Sequence, residues 1–250
     1  MPEWRDAEYV VVNLARAIQP NEVVFSGVNS VLPMAACILA KRAYDFPFTY
    51  LSVAGGVDAV PERLPRSSTD PALLAGSAAI FSNEDFYDLA TRGKLDLIYL
   101  GAAQIDAFGR TNVSAIGEWA HPKVRLPGGG GAAVMMPTAP RVALWRTEHS
   151  PRTLVEKLEF ITAAGNTVVL VTPYAVFERD PAKNERFHLA THRPDVTPAE
   201  IAARTGFAFD AARAVPTPTM SKRERAALDA IDAFDLLDNE TPKNETLRGA

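Results

Sequence analysis

An open, mainly parallel α/β sheet with helices on both faces is the fold this sequence predicts. Two observations carry it. Short apolar runs rich in β-branched and aromatic residues alternate with segments of helix length, and this alternation implies parallel strands covered on both faces. No fixed-period repeat or low-complexity tract interrupts the pattern, which sets aside solenoids and arrays. Nothing in the 250 residues has the composition of a linker. Residues 1–238 therefore read as one domain and 239–250 as a polar C-terminal tail.

Over residues 6–18, Tyr9, Val10, Leu14, Ala17 and Ile18 recur at helical spacing. Residues 23–25 form a short buried strand, 26–30 a turn, 32–44 an apolar helix and 48–52 a second strand. Ser82, with Glu84 and Asp85 in the first turn, caps a helix that runs to Thr91 and stops at Gly93. Residues 96–100, 142–145 and 167–171 read as three more strands. Thr197 and Glu200 make a capping box, with Pro198 at the first helical position and Gly206 beyond the end. Ser221 with Glu224 starts a last helix to Ile231. A sheet of this kind places its site at the carboxyl ends of the strands.

Composition narrows the chemistry. With 26 basic and 30 acidic side chains the net charge is -4, so nucleic acid is not an expected partner. The lone cysteine, Cys37, excludes an internal disulfide and a multi-thiolate metal site, and it reads as a core residue. His149, His188 and His192 show no ligand spacing with carboxylates, so no metal is expected. The apolar run 31–40 is too short to span a bilayer, and the N-terminus lacks the layout of a secretion signal. No membrane association and a cytoplasmic location are the expectations.

The densest chemical signal lies between Leu100 and Ala132. It holds Gln104, Asp106, Asn112, Glu118, His121, Lys123 and Arg125, then four consecutive glycines, Gly128, Gly129, Gly130 and Gly131. Glycines fill no core; their use is to let backbone N–H groups approach an oxyanion or phosphate, unless the run is a flexible surface loop. The spacing matches neither the phosphate-loop nor the dinucleotide fingerprint. Asp106 reads as the cap of a turn ending at Gly109. His121, Lys123 and Arg125 are either an anion-facing cluster or a solvated strand face. A second stretch, Ser52-Val53-Ala54-Gly55-Gly56-Val57-Asp58, puts open backbone just after a strand, which a tight turn explains equally well.

Together these stretches resemble the β subunits of the class I coenzyme A transferases, glutaconate CoA-transferase above all. That family shows a Gly-Ala-Gln-Ile-Asp-x-x-Gly-x-x-Asn run, then His-Pro-Lys-x-Arg and Gly-x-Gly-Gly-Ala. Here these are Gly101/Ala102-Ala103-Gln104-Ile105-Asp106, Gly109, Asn112, His121-Pro122-Lys123, Arg125 and the glycines through Ala132. Pro65-Arg66-Ser67 and Thr205-Gly206-Phe207 also match. The resemblance implies a CoA-transferase-like fold, an α subunit as partner in a heterodimer or α2β2 heterotetramer, and an acyl-CoA thioester at the subunit interface. Coenzyme A is then part of the substrate, and no separate cofactor is implied. Asn112, Gly130 and Gly131 take catalytic roles at the thioester oxygen; Val53, Ala54, Gly55, Gln104, Gly128 and Gly129 take substrate-binding ones.

One departure redirects the reading. The transferases carry a nucleophilic glutamate in a Val-Glu-Ser-Gly-type turn. Alignment puts Val53 at that position, or Ala54 if slid by one, and the next acids, Asp58 and Glu62, lie beyond the turn. Losing a nucleophile costs on the order of 10⁶ in rate. The pattern therefore resembles the decarboxylating relatives without that glutamate, which take 3-methylglutaconyl-CoA to 3,3-dimethylacrylyl-CoA. An apolar wall would desolvate the carboxylate, and backbone donors would stabilise the dienolate. The alternatives are a transferase whose carboxylate comes from the partner, a ring-opening acyl-CoA hydrolase, and a non-enzymatic ligand-binding module of the same fold.

Overall fold

The apolar runs assemble into a ten-stranded sheet in a computed structural model that describes residues 4–232 and Leu237. The expected tail, 239–250, and the expected domain end at residue 238 lie outside the described residues. The helices are α1 (Asp6–Arg16), α2 (Val31–Ala43), α3 (Asn83–Thr91), α4 (Ala132–Thr138), α5 (Pro198–Arg204) and α6 (Lys222–Ile231). The strands of the first half are β1 (Val23–Ser26), β2 (Thr49–Ser52), β3 (Gly56–Val57), β4 (Ala79–Ile80), β5 (Leu97–Gly101), β6 (Gln104–Asp106), β7 (Thr111–Asn112), β8 (Ala115–Ile116) and β9 (Val124–Arg125). Those of the second half are β10 (Arg141–Trp145), β11 (Leu154–Val155), β12 (Thr167–Val171), β13 (Ala175–Glu178), β14 (His188–His192) and β15 (Val215–Pro216).

The large sheet runs β15-β14-β13-β12-β10-β5-β1-β2-β3-β4. Its middle, β12-β10-β5-β1-β2, is parallel throughout, and antiparallel strands flank it on both sides. Alternate residues of these central strands feed two separate cores. Val24, Tyr50, Leu97, Tyr99, Ala143 and Val171 pack with α1 and α2 on one face. Phe25, Leu51, Ile98, Leu144 and Leu170 pack with residues of α3, α4 and α5 on the other. Burial on both faces is what makes the runs apolar without alternation. The expected mainly parallel α/β architecture is the observed one.

α2 is buried almost all round, because it lies against α1 and α6 as well as the sheet. Its even apolarity follows from that position. The capping boxes form at Ser82, Thr197 and Ser221, each hydroxyl accepting from the N–H three residues on. Cys37 is fully buried, and burial pushes its thiol well above the usual range. Among the described residues no helix is long and apolar enough to cross a membrane. The sequence reading missed α4, and it missed β13 and β14. These two strands lie outside the parallel centre, and their antiparallel pairing defines them.

Candidate active site

Register aligns the carboxyl ends of four parallel strands on one edge of the sheet. Ser26 pairs with Ser52 and Tyr99, and Gly101 pairs with Trp145. The residues just beyond these ends, including Gly27, Val53, Ala102 and Arg146, line a cleft of about 750 Å³. The 126–131 segment with the start of α4, and Phe86 and Tyr87 of α3, line it as well. Among the described lining residues there is no aspartate or glutamate, and Arg146 is the one formally charged side chain.

The glycine run is an ordered approach to α4, with Gly131 as its N-cap. Gly128 donates its N–H to Val113 O at 2.7 Å, so that donor is already used. The N–H groups of Gly129, Gly130 and Gly131 have no backbone acceptor among the described residues. Gly130 has φ 51° with nothing within 4 Å of an added Cβ, so its backbone conformation, and not crowding, calls for glycine. At Gly131 a Cβ would lie 2.4 Å from Met135 Cε and 3.1 Å from the Tyr87 hydroxyl. Three free amides at a helix start, where the dipole is positive, suit an oxyanion.

The second glycine-rich turn divides between fold and cleft. Val53 lines the cleft and packs on the cluster of Phe25 and Phe86, whose rings stack with centroids 4.8 Å apart. Ala54 packs on the opposite core and does not line the cleft. Gly55 has φ 100°, and a Cβ there would sit 2.7 Å from Phe81 O, so it serves the turn and the approach of β4.

Asn112 and Gln104 are the clearest departures from the expected roles. Asn112 is fully buried and outside the cleft lining. Its Nδ2 donates to Gln104 Oε1 at 2.9 Å and to Ala115 O at 2.6 Å. Its Oδ1 accepts from the N–H groups of Ser114 and Ala115. Both donors and both acceptor positions are thus filled by the chain, and Asn112 is corrected from an oxyanion donor to a positioning residue that shapes the 112–115 turn. Gln104 is its partner, not a cleft residue. Asp106 caps its turn as expected, accepting from the N–H groups of Phe108 and Arg110.

Sequence reasoning passed over Phe25, Phe86, Tyr87, Trp145 and Arg146, all of which line the cleft. The rule that sites gather at strand ends was signal enough for Trp145 and Arg146. Tyr87 carried none, because it sits mid-helix in an otherwise ordinary segment. Its ring lies against Phe86 at 4.3 Å between centroids.

Comparison with known proteins gives the family and the fold. The description of the coenzyme A transferase family matches residues 7–204. The β subunit of 3-oxoadipate CoA-transferase from Pseudomonas knackmussii is 31% identical over 93% of this chain and 95% of that relative. The β subunit of glutaconate CoA-transferase from Acidaminococcus fermentans is 27% identical over 92% of this chain and 95% of its own length. Among solved structures, the decarboxylase AibA/AibB superposes with a TM-score of 0.87 at 35% identity, covering 95% of this chain and 98% of that one. The chain belongs to the coenzyme A transferase family.

Proposed function

We propose that this chain is the β-type subunit of a two-subunit enzyme that decarboxylates a glutaconyl-type CoA ester, taking 3-methylglutaconyl-CoA to 3,3-dimethylacrylyl-CoA. The observation that carries the reading is the cleft itself, which has Val53 beside the stacked rings of Phe25 and Phe86 and no carboxylate among its described lining residues. A transferase needs a carboxylate to accept the acyl group, and the described residues of this chain bring none to the cleft. The similarity to a decarboxylase at 35% identity points the same way.

The chemistry needs little more than the cleft provides. The carbon–carbon bond to the substrate carboxylate breaks, CO₂ leaves, and its electron pair delocalises through the enoyl group onto the thioester oxygen. The free amides of Gly129, Gly130 and Gly131 stabilise that dienolate, each such donor being worth about 3 kcal/mol. The apolar surface of Val53, Phe25 and Phe86 disfavours the carboxylate relative to the charge-spread transition state. A proton then returns to the carbon that lost CO₂. We assign its delivery to Tyr87, which lines the cleft with its hydroxyl beside the Gly131 backbone. The substrate is its own electron sink, so no further cofactor enters. The partner would be an α subunit of the same family, in a soluble cytoplasmic assembly.

Val53→Glu tests the reading in the assembled enzyme. A new carboxylate beside the substrate carboxylate should cut decarboxylation by about 10²-fold or more, since like charges repel in a desolvated site. Unchanged decarboxylation would remove Val53 from the reacting end and the reading with it.

A further inference from the structure

The end of the cleft at β10 differs in kind from the Val53 end. Two buried N–H donors there have no hydrogen-bond partner among the described residues, the indole Nε1 of Trp145 and the Nε of Arg146. Such groups are rare in folded chains, because each forfeits the hydrogen bonds that water gave it. Here two occur on adjacent residues, and both residues line the cleft. The carboxylate near Arg146 does not satisfy it. Glu148 lies 3.7 Å from an Arg146 amine, but its oxygens are taken by Arg152, at 3.0 Å to each, and by Ser150 at 2.8 Å. Burial accordingly lowers the Arg146 pKa despite the pull of Glu148.

The geometry points to Trp145 and Arg146 as an oxyanion subsite of the cleft, for a phosphate or carboxylate group of the bound ligand. This rests on the reading that the cleft takes a CoA ester. Its place decides which group it meets. β10 is three strands from β2 in the order β10-β5-β1-β2, which at ~4.8 Å per strand separates Trp145 from Val53 by about 14 Å. A carboxylate reacting at Val53 lies a short acyl chain from its thioester and does not extend that far. The phosphates of coenzyme A, held off from the thioester by the long pantetheine arm, do. An arginine fork suits a phosphate through charge-assisted donors, and the indole N–H adds a neutral one at the same end of the cleft.

Calorimetric titration of the enzyme co-purified with its partner subunit tests this. Wild type, Arg146→Gln, Arg146→Lys and Trp145→Phe are compared with CoA, pantetheine and glutaryl-pantetheine, after their melting temperatures are checked. Expected is a loss of about tenfold or more in CoA affinity for Arg146→Gln, with smaller losses for the other two variants and none for pantetheine. A loss confined to glutaryl-pantetheine would support the subsite but make the acyl carboxylate its ligand. CoA affinity equal in wild type and all three variants would overturn it. If wild type binds none of these compounds, the CoA-ester reading fails on its own. Inorganic pyrophosphate then decides the subsite, binding that Arg146→Gln abolishes supporting it and no binding overturning it.

Discussion

Two glycine-rich turns stand within one cleft region and do opposite work. In the turn after β2, glycine is demanded by the chain's own backbone, since a Cβ on Gly56 would lie 2.0 Å from Leu73 O. In the run before α4, Gly128 and Gly130 face open space, and the amides of Gly129, Gly130 and Gly131 find no backbone acceptor among the described residues. One turn closes on the chain itself, and the other leaves its amides without a backbone acceptor among the described residues. Glycine content alone does not tell the two apart; what an added Cβ would touch does.

That contrast is open to direct attack. Gly56→Ala should cost at least about 3 kcal/mol, because the new methyl meets the backbone carbonyl of Leu73, and the 71–73 turn must shift to admit it. Thermal unfolding would read this as a drop of about 10 °C. A melting point within a degree of wild type would mean that the turn relaxes freely. Gly130→Val should cost only about 1–2 kcal/mol of stability, the strain of a left-handed residue. Its turnover should nevertheless fall by about 10²-fold as the amides are displaced, and wild-type turnover would return the run to a bare connection. The smallest effect is expected for Asn112→Ala. It should lose about 2 kcal/mol of stability as buried partners go unpaired, while kcat of the folded enzyme stays within a few fold. A large fall in kcat at unchanged stability would restore Asn112 to the thioester oxygen.

The parts of the fold legible in the sequence are those with local causes. Doubly buried strands must be apolar on both faces, and the hydroxyl–carboxylate pairs at Ser82, Thr197 and Ser221 announce their helices within four residues. α4 was hidden because its cap is a glycine and its seven residues include Pro137. β13 and β14 were hidden because their identity comes from pairing. In the site, Val53 was legible as the residue where an acid was expected. The role of Asn112 was not, because its carboxamide is claimed by Ala115 in the turn that follows and by Gln104, which the β6–β7 pairing brings within reach. Arg146 escaped notice for a related reason. A cation after a strand is ordinary in sequence, and only the competition of Arg152 for Glu148 shows that it lacks a full partner.

The central claim is that a cleft with no carboxylate among its described lining residues removes CO₂ instead of moving CoA. Mass spectrometry of the co-expressed two-subunit enzyme, incubated with 3-methylglutaconyl-CoA and an excess of acetate, reads this in one experiment. The account predicts 3,3-dimethylacrylyl-CoA as the product, formed without acetyl-CoA and without free coenzyme A. Acetyl-CoA in place of it would show transfer through a carboxylate, and free CoA with the intact diacid would show hydrolysis. Either result would contradict the account.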